Sequence, residues 1–198
     1  VTTDLLVEGC HFFSDVDPQS LGHKALAVNV SDLAAMGARP LGCVLGLSLP
    51  RADDAWLARF ADGFRSLADQ VACPLLGGDT TRSLSGIVIS VTAMGEVPVD
   101  GALKRSAAQP DDDIWVTGSL GAPHLALELM QGKHPALMGL LDRVRPSLER
   151  PQPPVAFGSS LAGVAHAAID ISDGLMQDLG HILRASGCGA EIDFAQLP

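Results

Sequence analysis

Five aspartates follow apolar or small residues, where a carboxylate sits at a partly desolvated edge. They are Asp4 in Val-Thr-Thr-Asp, Asp32 in Asn-Val-Ser-Asp-Leu-Ala-Ala-Met-Gly, Asp79 in Leu-Leu-Gly-Gly-Asp-Thr-Thr, and Asp170 and Asp173 in Ile-Asp-Ile-Ser-Asp-Gly. An unpaired charge in such a place is costly, so each needs a partner. Taken singly, each has an ordinary role as a helix cap or turn residue, Asp173 before Gly174 most plainly so. Taken together, in a chain with 13 Lys plus Arg against 23 Asp plus Glu, they point equally to a hard-cation site. Carboxylates with hydroxyl or carbonyl oxygens are the ligands Mg²⁺ takes, and Thr2, Thr3, Thr80 and Ser172 stand beside them. Two like charges about 4 Å apart repel by roughly 4 kcal/mol at an effective dielectric near 20. Bare aspartates would therefore repel a polyphosphate, whereas the same aspartates holding Mg²⁺ would receive it.

Other candidates are weaker alone. Gly77-Gly78-Asp79-Thr80-Thr81 is either a tight turn or a place where backbone amides approach a phosphate. Arg105 is a candidate phosphate clamp or a solvated loop residue. His11, in a Gly-containing segment after Asp4, is either structural or a ligand contact. The sequence has no G-x-x-x-x-G-K-[ST], because Gly132-Lys133 is followed by His134. It also lacks the protein-kinase H-R-D and D-F-G signatures and a G-x-G-x-x-G after a strand. Any ATP chemistry here uses other apparatus.

These residues need elements to hold them. Extended structure is expected at 1–4, 41–49, 74–76 and 87–97, and helices at 20–36 and from Asp53–Asp54 onward, where Trp56, Leu57, Phe60, Phe64, Leu67 and Val71 recur near period 3.6. Pro98, Gly101, Pro110 and Asp111-Asp112-Asp113 mark a boundary, dividing an N-terminal domain over 1–103 from a second over 104–198. In the second half, strands are expected at 114–117, 167–171 and 190–194. Helices are expected near 123–130, 135–144, 155–166 and 175–185, and 150–154 reads as a stiff Pro-rich connector. Strands and helices mix without a clean βαβ repeat, so the class expected is α+β.

Composition narrows the function. Apolar residues are 47% and the net charge is −10, so a large core is available and no basic stripe offers a nucleic-acid interface. Cys10, Cys43, Cys73 and Cys188 form no C-x-x-C pair and read as reduced, mostly buried thiols. No signal peptide and no long apolar run is visible, so a cytoplasmic protein with no membrane partner is expected. The first and last residues fall in or just after strand-like runs, so both ends read as cut.

Several of these motifs, in order, resemble the thiamine-monophosphate kinases. Val1-Thr-Thr-Asp-Leu-Leu-Val-Glu-Gly-Cys-His-Phe12 is similar to the family's substrate-side segment, and Gly22 to Gly37 resembles its second motif. Gly77-Gly-Asp-Thr-Thr-Arg82, Lys104-Arg-Ser106 and Ile169-Asp-Ile-Ser-Asp-Gly-Leu175 resemble the remaining three. The resemblance implies an aminoimidazole-ribonucleotide-synthetase-like, two-domain fold, here truncated at both ends, that forms a homodimer with ATP in a shared cleft. It implies Thr2, Thr3, Asp4, Asp32, Asp79, Asp170 and Asp173 as ligands of several Mg²⁺ ions. Gly78, Asp79, Arg105 and Ser172 would be nucleotide contacts and His11 a contact to thiamine monophosphate. The reaction implied is in-line phosphoryl transfer from ATP to thiamine monophosphate, giving thiamine diphosphate. The attacking phosphate is already ionised, so no catalytic base is assigned. The alternatives are another ATP-dependent enzyme of the same superfamily, or a non-catalytic Mg-nucleotide-binding or dimerising piece. The family's G-D-D-A and G-G-E-D-Y-like segments do not occur in these residues. Ala61 stands where an aromatic near the nucleotide is usual, and Ala107 to Asp111 departs from the usual G-A-x-P-G-D run.

Overall fold

A computed structural model describes residues 1–198. Four strands form one sheet: β1 (Thr2–Val7), β2 (Arg39–Leu49), β3 (Leu75–Arg82) and β4 (Val88–Glu96), in the order β1-β4-β2-β3. β4 runs antiparallel to both β1 and β2, and β3 is parallel to β2. The parallel pair needs a crossover, which α2 (Asp54–Gln70) supplies. α1 (Pro18–Ala35) joins β1 to β2. Its start is set by Asp17, whose carboxylate accepts from the Ser20 amide, with Pro18 in the first turn. Asp53 caps α2 through the Trp56 amide, as the sequence predicts.

Alternation along the strands decides what is covered. In register, Thr2, Asp4 and Leu6 oppose Ala93, Val91 and Ile89, which oppose Cys43, Leu45 and Leu47. Opposed residues share a face, so these rows lie under α1 and α2, and Leu6, Ile89, Val91, Ala93, Cys43 and Leu47 are buried there. α1 and α2 cross closely because a Cβ on Gly22 would meet the Phe60 carbonyl oxygen at 2.0 Å and one on Gly63 the Gln19 carbonyl oxygen at 1.8 Å. The opposite face carries Thr3, Leu5, Val44, Gly46, Ser90 and Thr92, and has no layer over it. Leu5 is 53% exposed and Leu76 is 62% exposed.

The regular elements of the second half are helical: α3 (Ala122–Met130), a 3₁₀ turn at Pro135–Leu140, α4 (Leu141–Glu149), α5 (Val155–Ser160) and α6 (Leu175–Ser186). α5 packs on α1, where Gly158 lies so near the Ala34 carbonyl that a Cβ would come within 2.2 Å of its oxygen. The strands expected at 114–117, 167–171 and 190–194 do not form. A strand exists only through a hydrogen-bonded neighbour, and only the isolated Lys104–Ala167 bridge appears there. Residues 194–196 instead make a 3₁₀ turn. The helix expected over 155–166 stops at Ser160. The tight turn considered at Gly77–Thr81 is absent too, because β3 runs straight through it. All four cysteines are free, Cys43 and Cys73 buried as expected, but Cys10 is exposed.

Candidate functional site

The site is assembled where β1 lies against α1. Asn29, fully buried, accepts from the Asp4 amide through Oδ1 at 3.2 Å and donates through Nδ2 to the Ala25 carbonyl at 3.2 Å. This pins β1 to the helix and sets Asp4 beside Asp32, one helical turn beyond Asn29. The Thr2 hydroxyl donates to the Asp32 carboxylate. Ser31, next to Asp32, donates to Asp170 at 3.1 Å across 139 residues of chain, so the 169–174 segment is tied to α1. Asp4, Asp32 and Asp170 thus form one acidic group drawn from three elements.

Titration reflects the crowding. Burial pushes the Asp4 carboxyl up, and the charges of Asp32 and Asp170 push it further, while His11 opposes them. Burial also raises Asp170, with Asp32 adding to it; the Ser31 hydrogen bond works the other way. Carboxylates crowded in this way repel one another unless protons or cations offset their charge. No three acidic, histidine or cysteine side chains converge tightly enough to hold an ion by themselves.

The other predicted residues lie in four places. Thr3 and Asp79 lie on the opposite face of the sheet. The Thr3 hydroxyl pairs with Thr92 Oγ1 at 2.7 Å, and Asp79 opposes Gly46, which opposes Ser90. Within one chain they are not brought to Asp4 and Asp32. Gly78 lets β3 approach β2, since a Cβ there would meet the Leu45 carbonyl oxygen at 1.9 Å. Its neighbour Asp79 is exposed, as is the rest of β3. Ser172 and Asp173 lie in the loop before α6. Asp173 accepts from Gln177 Nε2 at 2.9 Å. Arg105 follows the Lys104–Ala167 bridge, its carbonyl accepting from Ser186 Oγ at 2.9 Å. Its guanidinium has no carboxylate partner.

His11 is held in a tight loop after β1. The Cys10 and His11 amides both donate to the Val7 carbonyl, and Glu8 accepts from the Ile87 amide at 2.8 Å. His11 Nδ1 accepts from the Val7 amide at 3.0 Å. That bond favours the tautomer with its proton on Nε2, a donor that faces outward. Lys24 of α1 donates to the His11 carbonyl at 3.0 Å, and burial lowers its ammonium pKa, Glu149 opposing. A groove of about 500 Å³ runs beside this loop, lined by Glu8, Phe13, Ser85 and Gly86 among others. An apolar hollow of about 330 Å³ lies next to Asp173, with Leu120, Met176, Ile192 and Phe194 in its wall.

Three residues of this arrangement were not singled out from sequence: Ser31, Asn29 and Asp178. The first two lie within the motif quoted around Asp32, on α1. Asp178 looks like an ordinary first-turn acidic residue, and only its burial and loop partners distinguish it.

Comparison with known proteins follows the same lines. A family model described as AIR synthase related protein, N-terminal domain, matches residues 1–97. The thiamine-monophosphate kinase of Escherichia coli (strain K12) is 46% identical over 199 residues, covering 100% of this chain and 61% of that protein. The crystal structure of thiamine-monophosphate kinase from Stenotrophomonas maltophilia K279a superposes with a TM-score of 0.87 at 49% identity, covering 94% of this chain and 60% of that one. Over its whole length the chain is similar to thiamine-monophosphate kinases. A further family structure, described as AaThiL complexed with AMPPCP and TMP, has a TM-score of 0.85 at 32% identity, covering 94% of this chain and 60% of that one. The fold is the α+β, AIR-synthase-like one of this family. The chain spans about 61% of the length of the curated relatives it matches. No helix is long and apolar enough to cross a membrane.

Proposed function

We propose that the protein is a cytoplasmic ATP-dependent thiamine-monophosphate kinase, transferring the γ-phosphoryl group of ATP to the phosphate of thiamine monophosphate. The observation carrying this is the acidic group of Asp4, Asp32 and Asp170, built from three elements and ringed by the hydroxyls of Thr2 and Ser31. The complex of a relative with AMPPCP and TMP supports the choice of substrates. Bound Mg²⁺ would offset the charge of the triphosphate and of the transferring group. Thr2, Asp4, Asp32, Asp170 and Asp173 are the residues in this chain we assign to holding it. Thr3 and Asp79 join the set where a second sheet closes the open face. Arg105 and Ser172 are assigned to the nucleotide, and Gly78 to keeping the strand that carries Asp79 tight against β2. The outward Nε2–H of His11 is assigned to an oxygen of thiamine monophosphate. In-line attack needs no strong base, because the accepting phosphate is already ionised near neutral pH.

We further propose a division into residues 1–103, which carry the nucleotide and metal contacts of the first half and the dimer face, and residues 104–198, which close the site from the other side. The sheet with α1 and α2 spans residues 2–96, which supports the first unit. The uncovered face of that sheet supports a homodimer. The test separates the two substrates. In the full-length enzyme, His11→Ala should raise KM for thiamine monophosphate roughly tenfold to a hundredfold, the worth of one hydrogen bond to a charged group, with KM for ATP changing far less. Arg105→Ala should act on the ATP side. A His11→Ala enzyme with both constants unchanged contradicts the assignment of this loop.

A further inference from the structure

We propose that Asp178 is a positioning residue whose buried carboxylate locks the 170–174 loop in the shape that presents Asp170 and Asp173 to the metal-nucleotide. This rests on the kinase reading above and adds to it a residue that does not itself face the site. Asp178 is 3% exposed. Its Oδ2 accepts from three consecutive amides, those of Ser172 at 2.9 Å, Asp173 at 3.0 Å and Gly174 at 3.1 Å. It has no ion-pair partner, so these three amides are what makes a buried carboxylate tolerable.

The arrangement has two consequences. First, the loop cannot turn its amides elsewhere without leaving a buried charge unsatisfied. The backbone between Asp170 and α6 is therefore fixed from beneath, while the side chains of Asp170 and Asp173 leave it toward Ser31 and Gln177. Second, three converging amides just ahead of α6 form a nest that suits an anion. Asp178 already fills it. Those three amides are therefore not available to a phosphate, and what the loop presents outward is the Asp170 and Asp173 carboxylates with the Ser172 hydroxyl between them.

The test uses the full-length protein and two variants, Asp178→Ala and Asp178→Asn. In metal-free protein, hydrogen exchange of peptides covering 171–178 should speed up by about tenfold or more in Asp178→Ala, with peptides of β1 and β4 unchanged. The Mg²⁺ concentration giving half-maximal binding of a non-hydrolysable ATP analogue should rise by about tenfold to a hundredfold, as for other outer-sphere partners of metal ligands. KM for thiamine monophosphate should stay within about twofold, since the His11 loop is not touched. Asp178→Asn keeps the shape but loses the charge, and should fall between wild type and Asp178→Ala on both readouts. If Asp178→Ala does not fold, Asp178→Asn alone decides. Unchanged exchange at 171–178, an unchanged Mg²⁺ requirement, or a uniform rise in exchange across the chain would overturn the proposal. If wild type binds the analogue equally well without Mg²⁺, the kinase reading of the acidic group fails, and the exchange readout still tests the locking of the loop.

Discussion

At the residue scale, the acidic group trades stability for binding capacity. Asp4 and Asp170 both have their pKa raised, by burial first and by like charge second. A carboxyl whose pKa is higher in the fold than in the unfolded chain (about 3.9) binds more protons in the fold across that window. Its contribution to stability therefore falls as pH rises through the window, and the deficit persists above it. In metal-free protein, Asp4→Asn is expected to melt at a higher temperature than wild type near pH 7.5. The difference should shrink as pH is lowered into the carboxylate range. Calorimetry in chelator across pH checks this, and a variant less stable than wild type at every pH contradicts it. Asp32→Asn keeps the Thr2 hydrogen bond in kind but removes a charge. It should weaken Mg-nucleotide binding by at least about tenfold, given roughly 4 kcal/mol for a unit charge at about 4 Å and an effective dielectric near 20, while the fold survives. Isothermal titration with an ATP analogue and Mg²⁺ reads it directly.

At the element scale, much of the first half was legible. β1, α1, β2, α2 and β4 fall within a few residues of their expected places, because alternation in the strands, Asp caps and a 3.6 period in 54–71 all agree. β3 was foreseen only at its start. Its Gly-Gly-Asp-Thr-Thr has poor strand propensity, and pairing to β2 overrides that. The strands expected in the second half failed for the converse reason. Ile114-Trp115-Val116 and Ala190–Phe194 have the right residue types, yet nothing among the 198 residues pairs with them, and Trp115 is 87% exposed. Of the site, Asp4, Asp32 and Asp170 came together as the motifs suggested, whereas the face on which Asp79 lies depends on a register no local pattern reveals. Close pairing of β3 gives a sharp test. Gly78→Ala puts a Cβ against the Leu45 carbonyl oxygen and should cost roughly 1–3 kcal/mol. Chemical denaturation measures it, and an unchanged midpoint contradicts the strand approach described.

At the scale of the whole molecule, one sheet face is packed under α1 and α2 and the other is bare. Leu5 of β1 and Val44 of β2 are exposed on the bare face, and Leu75 and Leu76 on the edge strand β3, apolar surface that soluble proteins seldom leave free. A twofold partner would cover it and bring a second sheet over Thr3 and Asp79. Sedimentation of the full-length protein should show a dimer at micromolar concentration, and a charged substitution such as Leu5→Lys should dissociate it and reduce turnover together. A strict monomer with full activity contradicts the shared cleft. The central claim is phosphoryl transfer to thiamine monophosphate by metals held on the Asp4, Asp32 and Asp170 group. The most direct measurement is product formation by the full-length enzyme from ATP and thiamine monophosphate, followed by chromatography, with and without Mg²⁺ and for wild type beside Asp32→Asn. The account predicts equal amounts of ADP and thiamine diphosphate with Mg²⁺, none in chelator, and a rate at least about tenfold lower for Asp32→Asn. ATP consumed without thiamine diphosphate, or turnover indifferent to Mg²⁺ and to Asp32, would contradict it.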